Sequence, residues 1–221
     1  MVNVNTVYTT VLYLLNKEQR GYLTPTEFNS IGAQVQEEIF NSYFPDGNQT
    51  NRQNQNNTQN DTEFFDIFNN ISYKLYPFQQ EIPFINGGGP DFVGPDNLYL
   101  IGDIISTYNG QPKYESITEI VSKRDYNKIV RSKLTAPTKN YPVGYLVDNL
   151  SGTLSPSVII NPLPDEVTAN CLVKPVPPVW GFGTGGAGQY LYNPALSTDF
   201  ELDTSEQTNI IIGILKYAGL V

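Results

Sequence analysis

Apolar side chains recur at helical spacing from the start of the chain: Val7, Val11, Leu14 and Leu15 form one stripe, and Phe28, Ile31, Val35, Ile39 and Tyr43 form a second. Between them, RGYLTPTEFN at 20–29 spells out a helix stop followed by a helix start. Gly21 suits the left-handed exit of a helix, and Lys17 and Arg20 stand in its last turn, at the negative end of the macrodipole. Thr24 is then placed as N-cap, Pro25 as the first helical residue and Glu27 as the third, which completes a T-x-x-E capping box. Leu23 and Phe28 are spaced for the matching hydrophobic staple. The pattern predicts a helical hairpin over residues 4–44, with Val11, Leu15, Ile31 and Val35 in its core. Phe40, Tyr43 and Phe44 widen the second stripe beyond one face, which makes them candidates for contact with another subunit.

Ten of the eighteen residues in PDGNQTNRQNQNNTQNDT, 45–62, are Asn or Gln and none is a large apolar side chain, so this segment is expected to be a loop. Its N-x-S/T triplets follow from the Asn-rich composition. Helical periodicity returns with Phe64, Ile67, Phe68, Ile71 and Leu75 and stops before Pro77. A loop with GGGP at 87–90 follows. The texture then changes to short runs rich in β-branched and aromatic residues, punctuated by Gly, Pro, Asn and Asp: 97–108, 114–121, 142–148, 155–162 and 168–175. These predict a small, mostly antiparallel sheet, with a short helix near 124–132. At the C-terminus Asp203 or Thr204 can cap a last helix, Ile211, Ile214, Leu215 and Ala218 form its stripe, and Gly219 can end it. The expected fold class is α+β. A helical layer formed by the N-terminal hairpin, the third helix and the C-terminal helix carries an inserted β unit, with a helical region over 1–78, a β-rich region over 79–200 and the C-terminal helix over 201–221.

Composition narrows the chemistry. A chain of 221 residues buries roughly 70% of its unfolded surface, enough for a core without external staples. A single cysteine, Cys171, excludes an intrachain disulfide and reads as a buried, inert thiol. There is no histidine, which removes Ser-His-Asp and Cys-His catalysis and imidazole ligation of metals. The 22 Asp and Glu residues show no pairing that points to carboxylate catalysis, and neither enzymatic activity nor a cofactor is expected. A formal charge of −9 argues against a free-standing nucleic-acid binder. It serves solubility, or makes a wall past which DNA slides without adhering. No leader-like segment and no run of about 18 apolar residues occurs, so no membrane association is expected and synthesis in a cytoplasm is.

Three motifs invite a functional reading. GFGTGGAG at 181–188 satisfies G-x-G-x-x-G twice, but that fingerprint needs a strand before it and a helix after it, whereas KPVPPVW precedes and the strand-like QYLYN follows. A hairpin tip or inserted loop is expected, and it could lie against a neighbouring subunit. Trp180, the sole tryptophan, stands on a stiff PVPP segment and suits either a core lid or an interface anchor. Lys123, Arg124, Lys128, Arg131 and Lys133 make the one basic patch, either a solvated helix face or a contact for an acidic partner.

Four segments taken together, NKEQRGYLTPTEFNSIGAQVQEEIFNSYF, SKLTAPTKNYPVGY, VKPVPPVWGFG and DFELDTSEQTNIIIGILKYAGL, resemble structural ring proteins of tailed bacteriophages, particularly those of crAss-like short-tailed phages. Asn16, Gly21, Thr24, Pro25 and Phe28 carry the N-terminal motif, and Pro178, Trp180 and Gly181 the P-x-W-G element. The resemblance runs in order from about Asn3 to Val221. It implies a head-to-tail connector in the neck or tail of the virion: a non-catalytic homo-oligomeric ring, dodecameric in the family pattern, around a channel through which DNA passes without specific binding. The implied partners are the portal protein and neighbouring tail rings. Another virion component, such as a tail spike base or a capsid decoration, is the alternative. On this reading Phe40, Tyr43, Phe44, Trp180, Arg124, Lys128 and Arg131 are the candidate subunit or partner contacts.

Overall fold

A computed structural model of the chain describes residues 1–17, 22–44, 71–110, 113–148, 155–186 and 188–219. The predicted helix exit at Arg20 and Gly21, the Asn/Gln-rich segment 45–62 and the start of the third helix at Phe64, Ile67 and Phe68 lie outside the described residues. The fold is mixed α+β and forms two compact units, one from Met1–Tyr76 with Pro175–Val221, the other from Pro77–Lys174.

In the helical unit, α1 (Val4–Lys17) buries Val4, Val7, Tyr8, Val11 and Leu15 on one stripe. Asn3 caps it, its side-chain oxygen accepting from Thr6 N at 3.0 Å. The capping box ahead of α2 (Pro25–Ser42) is formed in full: Thr24 N donates to the Glu27 carboxylate at 2.9 Å, and the Thr24 hydroxyl accepts from Glu27 N at 3.4 Å. Leu23 and Phe28, the staple pair, are both buried. The buried face of α2 is Phe28, Gly32, Val35, Gln36 and Phe40, rotated from the expected stripe, so that Ile31 and Ile39 are only half-buried. The reason is polar. Gln36 donates to the Val176 carbonyl at 2.7 Å and accepts from Glu201 N at 3.1 Å, which satisfies its carboxamide inside the core.

A helical stretch over 71–75 leads into a 3-10 turn at Tyr76–Phe78. The C-terminal helix α4 (Gln207–Tyr217) follows a 3-10 turn capped by Asp203 and buries Ile210, Ile214 and Leu215. It crosses α2 where Gly213 faces Val35: a Cβ on Gly213 would lie 2.7 Å from a Val35 methyl.

The second unit is a closed seven-stranded barrel rather than an open sheet, in the order β1-β2-β6-β5-β4-β3-β7. Its strands are β1 (Gln79–Asn86), β2 (Asp91–Val93), β3 (Leu98–Tyr108), β4 (Tyr114–Ile120), β5 (Val143–Asp148), β6 (Pro156–Asn161) and β7 (Glu166–Val173). The last five fall where alternation predicts strands. The first two flank the GGGP segment, which turns a hairpin with Gly88 at φ +84° and Ile85 opposite Val93. Pro83 within β1 obscures that strand, because proline cannot donate to a ladder. β1 meets β2 only through Ile85 and Asn86, so most of one side of it is spared that demand. Phe84, Phe92, Ile104, Val158, Ile160, Val167, Ala169 and Cys171 fill the interior. Cys171 is buried, and burial pushes its thiol above the ordinary range.

All pairings in the barrel are antiparallel except β4 with β5, which run parallel through Glu119–Val143 and Ile120–Gly144. Parallel neighbours need a crossover connection. That connection is α3 (Lys123–Arg131), the short basic helix, with the loop that returns to β5.

Residues 175–200 do not belong with the β-rich region, as the sequence reading places them, but with the helical unit. Aromatic burial decides this. Trp180 and Phe200 pack with Tyr8 and Phe28, and Val2 pairs with Phe200 through two backbone hydrogen bonds of 3.0 Å.

Candidate interaction surface

α3 is built to display its charge. Ser122 caps it, accepting from Asp125 N at 3.2 Å and donating to the Asp125 carboxylate at 2.7 Å. Hydrogen bonds from Ser122 and Lys128, with the Lys128 charge, hold the Asp125 carboxyl below its ordinary range. The helix rests on the barrel through Tyr126, whose ring centroid lies 4.6 Å from that of Tyr145, while Lys123 lies over the Tyr145 ring at 5.6 Å. No residue of α3 is buried. Arg124, Lys128 and Arg131, at i, i+4 and i+7, share one exposed face. Lys128 pairs with Asp125 at 3.1 Å; among the described residues Arg124 and Arg131 make no ion pair. Leu134, 94% exposed, and Tyr141, 79% exposed, lie on the connection that follows.

The aromatic candidates sit elsewhere. Phe40, Tyr43 and Trp180 are buried within the chain, which corrects their assignment to a subunit contact. Phe40 belongs to the inward face of α2 and meets half-buried Phe44 edge to face, with ring centroids 5.3 Å apart. Lys74 covers the Tyr43 ring at 5.7 Å and binds Glu206 at 2.5 Å. Burial and the nearby Glu206 charge raise the Tyr43 phenol, whose hydroxyl finds no hydrogen bond of good geometry among the described residues. Trp180 is a core lid: its indole N–H donates to the Asn5 side chain at 3.0 Å, and its ring contacts those of Tyr8, Phe182 and Tyr192.

GFGTGGAG forms a hairpin, not a phosphate cradle. β8 (Phe182–Thr184) pairs antiparallel with β9 (Tyr190–Tyr192), and no helix follows the glycines. The amides of Gly185 and Gly188 are spent inside the turn, on the carbonyls of Gln189 and Gly185. Gly181 has a packing role: a Cβ there would lie 2.5 Å from the backbone carbonyl of Leu196.

Two features escape a reading of periodicity. The outer wall of the barrel carries an uncharged row across four strands, Pro83–Thr168–Ile105–Ile117, ending on Ile117 at 66% exposure. The two units also differ in charge: the helical unit has twelve acids against five cations, the barrel ten against eight. In α2 there are three acids, Glu27, Glu37 and Glu38, all exposed, and no cation. The alternation in YESITEI, which turns Glu115, Ile117 and Glu119 outward together, was the available signal for the first feature.

A groove of about 390 Å³ opens on β1, β3 and β7, with Gln79, Gln80, Leu100, Asn170 and Leu172 among its lining. Among the described residues no group of three or more His, Cys, Asp or Glu side chains is placed to hold a metal ion, and no helix is long and apolar enough to cross a membrane. No protein-family model matches the chain, and a search of curated proteins finds no match.

Proposed function

We propose that this chain is a structural subunit of a bacteriophage particle, forming a homo-oligomeric ring in the neck or tail that joins the portal to more distal components and surrounds the DNA channel. The observation that carries the reading is where the distinctive chemistry lies. A closed barrel leaves little strand edge for pairing, chiefly the parts of β1 and β4 beyond their two-residue contacts with β2 and β5, so its association surfaces are built mainly from side chains. Its outer wall and crossover connection supply them: Ile117 is exposed on the wall, and Leu134 and Tyr141 are uncovered on the connection that also carries the cations of α3. Large apolar and aromatic groups mixed with arginine are the composition of protein contacts. The ordered resemblance of four segments to phage ring proteins supplies the location.

A ring requires a heterologous contact, in which one surface meets a different surface of the next copy and the rotation closes. Reconstruction of intact particles by electron microscopy is the test. The expected result is density for this chain in a closed ring beneath the portal. Its absence from particles overturns the reading, and density at a spike base or on the capsid replaces it with the alternative role.

A further inference from the structure

The cations of α3 have no sufficient counterpart on their own helix, where Asp125 is the one acid for Lys123, Arg124, Lys128 and Arg131. The exposed face of α2 has the opposite composition, with Glu27, Glu37 and Glu38 and no cation in eighteen residues. We propose that the Arg124–Lys128–Arg131 face of α3 docks on the Glu37–Glu38 face of α2 in a second copy of this chain. The inference rests on the ring reading and specifies its contact.

Three observations favour this occupant. The faces are compatible in scale: Glu37 and Glu38 stand together near the C-terminal end of α2, within the roughly 10 Å of helix that Arg124 to Arg131 spans. The contact joins two different surfaces, α3 of the barrel and α2 of the helical unit, which is the kind of contact that a closing ring is built from. Finally, Leu134 and Tyr141 stand uncovered on the connection that follows α3, and apolar groups on the same crossover as the cations suit a protein surface better than a phosphate backbone. Arginine serves such a contact because its planar fork bonds a carboxylate through two N–H groups at once. Glu38 Oε1 accepts from Gln34 and the Tyr217 hydroxyl, which fixes the side chain on the exposed face of α2.

Charge exchange tests the pairing. Full-length R124E/R131E and E37K/E38K each reverse one face at exposed positions, and circular dichroism checks that both fold. Assembly is followed by sedimentation velocity and by incorporation into particles in a complementation assay. Each variant alone should lower the assembled fraction at least about tenfold, and the quadruple variant should recover it to within about threefold of wild type. Raising salt from 0.05 to 0.5 M, an interval over which the screening length falls severalfold to roughly 4 Å, should weaken the wild-type contact. Assembly and incorporation unchanged by either reversal overturn the pairing while leaving the ring reading in place, as does a quadruple variant that fails to recover. Wild-type retention on DNA that R124E/R131E alone abolishes, with assembly intact, reassigns α3 to nucleic acid. Absence of the wild-type chain from particles removes the ring reading itself.

Discussion

Lys74 donates to the buried carboxylate of Glu206 at 2.5 Å, tying the helical stretch over 71–75 to the start of α4. Burial raises the Glu206 carboxyl, but hydrogen bonds from Lys74 and Asn209 and the charge of Lys74 outweigh it and hold the group below its ordinary range. A carboxyl depressed in the folded state adds stability that is complete above its unfolded pKa and lost as pH falls through the folded one. Wild type should therefore lose stability in acid, from about pH 5 downward, more steeply than Glu206→Gln. At pH 7 the variant should be weaker by about 1–3 kcal/mol. Denaturant titrations across pH measure both; parallel acid limbs would sink the assignment.

Gly181 leaves no room for a side chain against Leu196, whereas Gly183 faces open space. Gly181→Ala should cost more than about 3 kcal/mol, because the atoms it meets are backbone. Gly183→Ala should stay within about 1 kcal/mol of wild type. Thermal melts of the pair distinguish a packing demand from a general preference for glycine in a hairpin.

The indole N–H of Trp180 has its partner in Asn5. Asn5→Ala should leave that donor unpaired in the core and destabilise the helical unit by about 1–3 kcal/mol. Trp180 is the sole tryptophan, so its fluorescence reports that unit directly. The emission should be blue-shifted in the native protein and move to the red in one step on unfolding.

Cys171 lies inside the barrel at 3% exposure with its thiol raised by burial. Only the thiolate reacts, so labelling by a disulfide reagent should be at least about 100-fold slower in native buffer than in denaturant. Rapid native labelling would show that the barrel opens where β1, β3 and β7 meet.

How much of this was legible beforehand varies with the range of the interactions involved. Thr24, Pro25 and Glu27 announce α2 because a capping box closes within four residues. β3 to β7 are readable from alternation, and α3 from its charge run; β1 was hidden by Pro83. Among the candidate contacts, Arg124, Lys128 and Arg131 are exposed, as a charge run on a short helix suggests. Phe40, Tyr43 and Trp180 could not be sorted by pattern, since an aromatic ring is equally at home in a core or at an interface.

The sequence by itself determined the start of α2, the segments that become β3 to β7, and the chemistry excluded by the lack of histidine. Tertiary structure alone decided that β7 joins β1 to β3, that the sheet closes, that Gln36 turns inward toward Val176 and Glu201, and that residues 175–200 serve the helical unit. The physical reason is distance along the chain. Caps and periodicity act among neighbours, whereas strand partners and buried polar contacts are chosen from groups tens to hundreds of residues away, which become neighbours only when the fold is complete.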